Sequence, residues 1–141
     1  MTQGGPVRRK RGSDIVVPTE HHEQVLVVQW ARMNARRWGG ATGLLFAVPN
    51  GANKSRSAAA TFRAEGLRSG VPDLVLPVPR GEHGALFVEM KRLRGGTVSP
   101  AQREWIEKLR AAGNAALVCR GHAEAIKAIT LYLTEEWTCE T

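Results

Sequence analysis

The chain has 141 residues, of which 43% are hydrophobic, and this is enough for one domain with its own core. Its 20 Lys and Arg outnumber 13 Asp and Glu, and the net charge of +7 favours a polyanionic partner. No apolar run approaches the roughly 20 residues of a transmembrane helix, and no hydrophobic stretch follows the basic N-terminus, so we expect neither a membrane span nor a secretory signal. The two cysteines form no C-x-x-C pair, which argues against a disulfide scaffold or zinc ribbon and favours a reducing, intracellular setting.

The first 18 residues are rich in Gly, Pro and charge. They predict a flexible basic arm at 1–18, ahead of a folded domain at 19–137. The arm contains the run Arg8-Arg9-Lys10-Arg11. This run either contacts phosphates or is a solvated tail, and the residues alone do not decide between the two.

A first helix is predicted over residues 20–37, with Thr19 as its N-cap. One stripe of this helix should pack on a sheet. The stripe consists of Glu20, Gln24, Val27 and Ala31. The helix dipole favours acids in a first turn, which explains Glu20 and Glu23 without any function. Glu20 nevertheless lies on the apolar stripe, where a solvated carboxylate is unexpected.

An apolar run at 44–48 predicts a first strand, and the turn after it leads to a helix at 55–65. Several cations lie around this second helix. They are Lys54, Arg56, Arg63 and Arg68. Charged helix faces are usually just solvated, but this segment leads directly to the corner at Asp73, where a polyanion entering the site would pass.

Two short apolar runs at 70–78 and 85–91 predict a pair of strands joined by a Gly-rich loop longer than two residues. If this hairpin is symmetric about Gly81, Asp73 lies opposite Glu89, with Cβ atoms roughly 5 Å apart. Lys91 follows Glu89 by two positions and points to the same face. The hairpin therefore places two carboxylates and one ammonium at one end of an apolar pair of strands.

These three polar groups have a structural and a chemical explanation. Asp73 can cap the turn after Pro72, while Glu89 and Lys91 can be the polar end of a strand. Both faces of this second strand are apolar, however, so ionised groups on it must be paired or bound to metal. Two carboxylates suit Mg²⁺, which keeps waters and takes few protein ligands. Such a metal would activate a water and stabilise a phosphoryl oxygen, and Lys91 would orient the nucleophile.

The segment Arg92-Leu93-Arg94-Gly95-Gly96 is a basic loop, and it leads to a helix that starts at Ser99-Pro100. Gln102 completes an S-x-x-Q capping box with Ser99, which gives this side chain a structural role. It also lies on the helix face that should pack on the sheet near Lys91, so a role in the site is open as well.

The third helix ends at Gly113, a strand follows at 115–119, and a closing helix begins near His122. The inward residues of the closing helix are expected to be Ile126, Ile129 and Leu133. The strand–helix–strand series predicts a parallel crossover. The whole order, α-β-α-β-β-α-β-α, predicts an α/β protein with a mixed four-stranded sheet flanked by helices.

Three blocks of the sequence together resemble a known nuclease family. They are Gly70-Val71-Pro72-Asp73-Leu74, Phe87-Val88-Glu89-Met90-Lys91 and Ser99-Pro100-Ala101-Gln102. The P-D…E-x-K pattern resembles the PD-(D/E)XK nuclease signature, and the three blocks resemble the virus-type replication-repair nuclease (VRR-NUC) domain in its single-domain viral and bacterial form. The likeness extends from about Glu20 to Leu133. It implies a restriction-endonuclease-like core, α-β-β-β-α-β, in which the helix at 55–65 is an insertion.

The resemblance also implies a metal site and an activity, namely Mg²⁺- or Mn²⁺-dependent hydrolysis of DNA phosphodiesters. The implied metal ligands are Asp73, Glu89 and the Met90 carbonyl. Relatives often bring a third carboxylate from the first helix, and this role falls to Glu20, with Glu23 as the alternative. Lys91 and Gln102 would position the attacking water.

By the same resemblance the substrate is branched DNA such as a four-way (Holliday) junction, and the setting is DNA repair in the cytoplasm of a bacterium or of a virus-infected host cell. The expected DNA contacts are Lys54, Arg56, Arg63, Arg68, Arg92 and Arg94. Paired incisions across a junction need two symmetric sites, which favours a homodimer. The alternative function is a non-catalytic nucleic-acid-binding module that keeps the nuclease fold.

Overall fold

A four-stranded sheet forms the centre of the computed structural model, which describes residues 16–49 and 55–136. Its strands are β1 (Phe46–Ala47), β2 (Leu74–Leu76), β3 (Leu86–Lys91) and β4 (Ala115–Arg120), side by side in that order. β1 and β3 run antiparallel to β2, whereas β4 runs parallel to β3. The predicted mixed sheet and the predicted parallel crossover from β3 to β4 are therefore confirmed.

The helices are α1 (Glu20–Met33), α2 (Arg56–Ala64), α3 (Pro100–Ala111) and α4 (His122–Leu133). α3 connects β3 to β4 and contacts both strands, while α1 and α4 pack against each other and against β3. The order of helices and strands is the predicted one. The α/β class is therefore confirmed.

β3 is buried on both faces because its side chains alternate between two different layers. One face carries the fully buried apolar set Leu86, Val88 and Met90. This face packs in a core that includes Val27 of α1 and Ile129 of α4. Glu89 and Lys91 have the opposite parity and point to the layer of α3. One strand therefore serves the apolar core and the polar site at the same time.

The register of the hairpin brings Asp73 opposite Glu89, as predicted. β2 and β3 pair with Leu74 opposite Val88. This pairing is symmetric about Gly81, and the next position along it joins Asp73 to Glu89. A slip of one residue would turn the whole apolar set of β3 away from the core. The apolar pattern of the strand therefore fixes where its carboxylate lies.

The predicted first helix, residues 20–37, is too long, because α1 ends at Met33. The side-chain amide of Asn34 donates to the Trp30 carbonyl at 2.9 Å, and the backbone N–H of Asn34 shares the same acceptor. Such local side-chain bonding competes with continuation of a helix. The chain continues instead as a 3₁₀ turn at Ala35–Trp38. The predicted N-cap is confirmed, since Thr19 Oγ1 accepts from the first turn.

The predicted strand at 44–48 is also too long. A second 3₁₀ turn, Ala41–Leu44, precedes a strand of only two residues. The hydroxyl of Thr42 donates to the Ala31 carbonyl at 2.7 Å and draws this turn onto the end of α1. The strand predicted to extend to Val78 ends at Leu76, because Pro77 has no N–H to donate to a ladder.

Gly70 should tolerate substitution less well than Gly66, although both have positive φ (+86° and +97°). A methyl group on Gly70 would lie 2.9 Å from the carbonyl carbon of Ala101, whereas one on Gly66 would have no described atom within 4 Å. We expect Gly66→Ala to cost about 1 kcal/mol of backbone strain, and Gly70→Ala at least about twice that, because α3 must move. Urea unfolding measures both free energies. Equal losses would show that the contact with Ala101 is not limiting.

Candidate active site

Asp73 closes the end of the β2–β3 pair with its side chain. Its Oδ2 accepts a hydrogen bond of 2.8 Å from the Met90 N–H, so a carboxylate oxygen takes the place of a backbone acceptor. Its own carbonyl accepts from the Val48 N–H at 2.8 Å, next to β1. The residue is buried. These contacts hold the Asp73 carboxylate against β3, beside the position where Glu89 leaves the strand.

Glu89 is the most confined polar group of this corner and is 1% exposed. Its Oε1 accepts from Lys91 Nζ at 2.9 Å and from Gln102 Nε2 at 2.5 Å. Its Oε2 is buried and has no hydrogen-bond partner among the residues that the structure describes. A buried carboxylate oxygen without a partner is costly. This atom is therefore a position that a cation or a further donor would stabilise.

The pKa of Glu89 is raised to about 7, chiefly because burial disfavours the carboxylate. The hydrogen bond and charge of Lys91 oppose this shift, while the charges of Asp73 and Glu20 add to it. At neutral pH the group is therefore close to half ionised. A cation beside Oε2 would favour the ionised form, because an opposite charge lowers a carboxyl pKa.

Gln102 makes a capping contact and a contact with Glu89, one at each end of its amide. Its Oε1 accepts from the Ser99 N–H at 2.9 Å, and its backbone N–H donates to Ser99 Oγ at 3.1 Å, which completes the capping box. Its Nε2 donates to Glu89. Cap and site contact do not compete, and the cap holds the amide in the orientation that reaches the carboxylate.

The donors at this corner fit a small, hard divalent cation. Glu89 offers Oε2, and Asp73 offers a carboxylate held by the Met90 N–H. In an extended strand the N–H and carbonyl of one residue point to the same side, so the Met90 carbonyl faces Asp73. Within residues 16–49 and 55–136, no three His, Cys, Asp or Glu side chains are gathered to hold a metal ion. Two carboxylates and one carbonyl, with water at the remaining positions, suit Mg²⁺.

Comparison with known proteins agrees with this geometry. A family model described as the VRR-NUC domain matches residues 13–123. The chain belongs to the VRR-NUC family. A solved structure described as a "VRR_NUC domain protein" is 28% identical, with a TM-score of 0.72, and the match covers 84% of this chain and 90% of that one. Among curated proteins there is no match.

Membership of the VRR-NUC family confirms the predicted family and the restriction-endonuclease-like fold. It gives this chain a nuclease-type fold, and it implies nucleic acid as a partner. The family generally uses divalent metals. In the part of the chain described here, every helix is too short or too polar to cross a bilayer.

The two acids of α1 have different surroundings in this VRR-NUC domain. Glu20 is half-buried, and its charge is close enough to raise the pKa of Glu89. Glu23 is fully buried, and its Oε2 lies 2.6 Å from the backbone N and 2.5 Å from Nδ1 of His122. Val27 and Ala31 of the predicted stripe are buried, but its first member is wrong, because Glu23 rather than Glu20 continues the stripe toward the start of the helix.

The pair of Glu23 and His122 is a contact that the sequence did not predict. Gly121 occupies the N-cap of α4 and has no side chain to bond the first turn, so Glu23 supplies the acceptor from α1. Burial raises the pKa of Glu23, but the two hydrogen bonds and the charge of His122 outweigh burial, and the pKa lies below its usual range. The sequence features that could have indicated this contact are an acid on the buried face of one helix and a glycine at the N-cap of another. Neither feature identifies the residue that it contacts.

The cations predicted to contact nucleic acid are exposed wherever the structure describes them. They are Arg56 and Arg63 on α2, Arg68 on the following turn, and Arg92 and Arg94 on the loop after β3. Lys54 and the basic run of the arm lie outside the described residues.

Glu23→Gln should destabilise the VRR-NUC domain by about 1 to 2 kcal/mol at neutral pH, because charge-assisted bonds to α4 become neutral ones. A pKa depressed below its ordinary 4.5 makes ionised Glu23 stabilising above that pH, and the stabilisation is lost as the pH falls through the folded value. The unfolding free energies of variant and wild type, measured in urea, should therefore converge as the pH falls through the folded pKa of Glu23, which lies below 4.5. Glu107→Gln, an exposed acid of α3, is the control. A difference that does not change with pH would contradict the ionic contribution.

Proposed function

We propose that this VRR-NUC protein is a Mg²⁺- or Mn²⁺-dependent endonuclease that hydrolyses DNA phosphodiesters. The observation that carries the proposal is the buried Oε2 of Glu89, which lies beside Asp73 and has no hydrogen-bond partner within residues 16–49 and 55–136, while Lys91 and Gln102 bond the other oxygen. A buried polar atom without a partner lowers stability unless a further group bonds it. A divalent cation at this position removes that cost.

The proposed metal ligands are Asp73, Glu89 and the Met90 carbonyl. Glu20 is proposed as a third carboxylate, with Glu23 as the alternative. Glu20 is supported by its effect on the pKa of Glu89. Against Glu23, its Oε2 already bonds His122. Its Oε1, however, is buried without a hydrogen-bond partner among the described residues, which keeps the alternative open.

When bound, the metal would lower the pKa of a water ligand and stabilise negative charge on a phosphoryl oxygen. The chain's own donors do the positioning. Lys91 has three N–H groups and the Gln102 amide has two, and one from each is directed to Glu89. The remaining N–H groups hold the attacking water and the phosphoryl oxygen next to Glu89. Both side chains are fixed, Lys91 by burial on β3 and Gln102 by its bond from Ser99.

Branched DNA such as a four-way junction is the proposed substrate, and a homodimer is the proposed active form. The net charge of +7 and the exposed arginines support a polyanionic substrate. The proposed backbone contacts are Lys54, Arg56, Arg63, Arg68, Arg92 and Arg94. A two-fold dimer presents two equivalent sites, which matches two incisions across a junction.

Mg²⁺ should stabilise the fold only at pH values at which Glu89 is ionised. Its pKa is about 7, so metal binding must displace a proton below that pH. The affinity should fall about tenfold for each pH unit below 7. Millimolar Mg²⁺ should therefore raise the Tm at about pH 8 and change it little at about pH 5.5. Glu89→Gln should abolish the response. An equal rise in Tm at both pH values would place the metal elsewhere.

A labelled four-way junction tests the activity directly. Incubation with Mg²⁺ or Mn²⁺ should give metal-dependent product, and Glu89→Ala and Asp73→Asn should each lower the rate by at least about a thousandfold. Arg103→Gln, which changes an exposed charge on α3, should leave the rate unchanged. Unlabelled linear duplex and single-stranded RNA serve as competitors, and the junction should be preferred over both.

The alternative, a non-catalytic nucleic-acid-binding module, gives a different result in the same assay. It predicts salt-sensitive binding that ignores Mg²⁺ and survives Asp73→Asn. The absence of product on junction, flap, duplex and RNA substrates with every metal would establish that alternative and end the hydrolase proposal.

A further inference from the structure

A cleft of about 210 Å³ lies between α3 and the turn that precedes Gly70. It is lined by Arg68, Ser69, Ala101, Glu104, Trp105 and Lys108. The four lining positions on α3 follow one another at intervals of three, one and three residues, so they share one face of the helix. The cleft lies next to the site, because Gln102, on the neighbouring face of the same helix, bonds Glu89.

Trp105 is held in a defined orientation within this cleft. Its indole Nε1 donates to the Ser69 carbonyl at 2.9 Å, and the guanidinium of Arg68 lies 5.6 Å from the ring centroid. The ring is half-buried, so part of its surface remains accessible. An oriented aromatic ring beside a guanidinium offers a flat surface of the kind on which nucleobases stack.

Lys108 gives the cleft a cation whose ion pair is weak. It pairs with Glu104 at 2.5 Å, but the two side chains are 67% and 63% exposed. Exposed ion pairs of this type contribute little to stability, so Lys108 can exchange the carboxylate for a phosphate. Glu104 is the one acid of the cleft lining. Its charge opposes the binding of a simple anion. A ligand that also stacks on the aromatic ring is therefore favoured, because stacking offsets this repulsion.

We infer that this cleft binds one unstacked nucleotide of a nucleic-acid strand, with the base against Trp105 and Arg68 and the phosphate on Lys108. The inference rests on the proposed function, since it takes nucleic acid as the ligand. The cavity is smaller than the roughly 300 Å³ at which sites for whole small molecules begin, so it suits one unit of a longer chain.

The cleft lies close to the position proposed for the scissile phosphodiester bond. Lys108 lies six residues beyond Gln102 on α3, about 9 Å at about 1.5 Å per residue. The cleft is therefore close enough to Glu89 for neighbouring nucleotides of one strand to reach both places. It therefore receives the strand to one side of the scissile bond, where a flap, or a junction whose base pairs open at the branch point, offers unpaired nucleotides.

Fluorescence anisotropy in EDTA tests the inference without any cleavage. The probes are a labelled single-stranded oligonucleotide and a matched duplex, each bound to the full chain. Trp105→Leu should weaken single-strand binding by about fivefold or more and duplex binding by less than about twofold. Trp105→Phe should keep the affinity within about twofold. Lys108→Gln should weaken binding of the single-stranded probe more than that of the duplex and lower the single-strand salt slope by about 0.7.

Arg103→Gln is the matched control, because it removes the same charge from the opposite face of α3. Equal losses for Lys108→Gln and Arg103→Gln, or unchanged single-strand affinity in Trp105→Leu, overturn the inference. If thermal unfolding shows that Trp105→Leu does not fold, Arg68→Gln decides. A loss of affinity for the single strand that is no larger than the loss for the duplex is then the contrary result. A change of oligomeric state with unchanged affinity would make this face an interface between copies, which also contradicts the inference.

A wild-type protein that shows the binding pattern but never cleaves would remove the nuclease proposal and leave this inference standing.

Discussion

The carboxylate of Glu89 is the group on which the site depends, because the fold buries it and satisfies only one of its oxygens. Lys91 and Gln102 both bond Oε1, while Oε2 has no partner among the described residues. Burying a charge is unfavourable, and these two donors offset only part of that cost. The raised pKa of about 7 reflects the remainder. The buried carboxylate therefore lowers the stability of the fold, and a cation bound beside Oε2 would restore that stability.

The position of this carboxylate follows from the alternation of β3. Side chains of one parity form the apolar core with α1 and α4, and those of the other parity face α3. The strand cannot move or slip without exposing that core, so Glu89 and Lys91 are held as rigidly as the core itself. The capping box of α3 does the same for Gln102. Rigid positioning of this kind is what a reaction that depends on orientation requires.

A second connection ties the N-terminal helix to the site. Glu23 of α1 bonds the first turn of α4 at His122, and the neighbouring Gly121 N–H donates to the Lys91 carbonyl at 2.8 Å. α1 is thus joined to α4, and the start of α4 to the end of β3, through two successive contacts. Glu23 therefore holds α1, the helix that also carries Glu20, against the start of α4 and the end of β3.

The sequence by itself determined the order of the elements, the caps at Thr19 and Ser99, and the opposition of Asp73 and Glu89, because turn residues and apolar alternation act over a few residues. It misplaced the ends of α1 and β1, where side-chain bonds from Asn34 and Thr42 interrupt the pattern. Only the tertiary structure decided which acid of α1 is buried. Glu20 and Glu23 lie three positions apart on overlapping stripes, so the outcome depends on the rotation of α1 against α4. Contacts between residues 99 positions apart leave no local pattern in the chain.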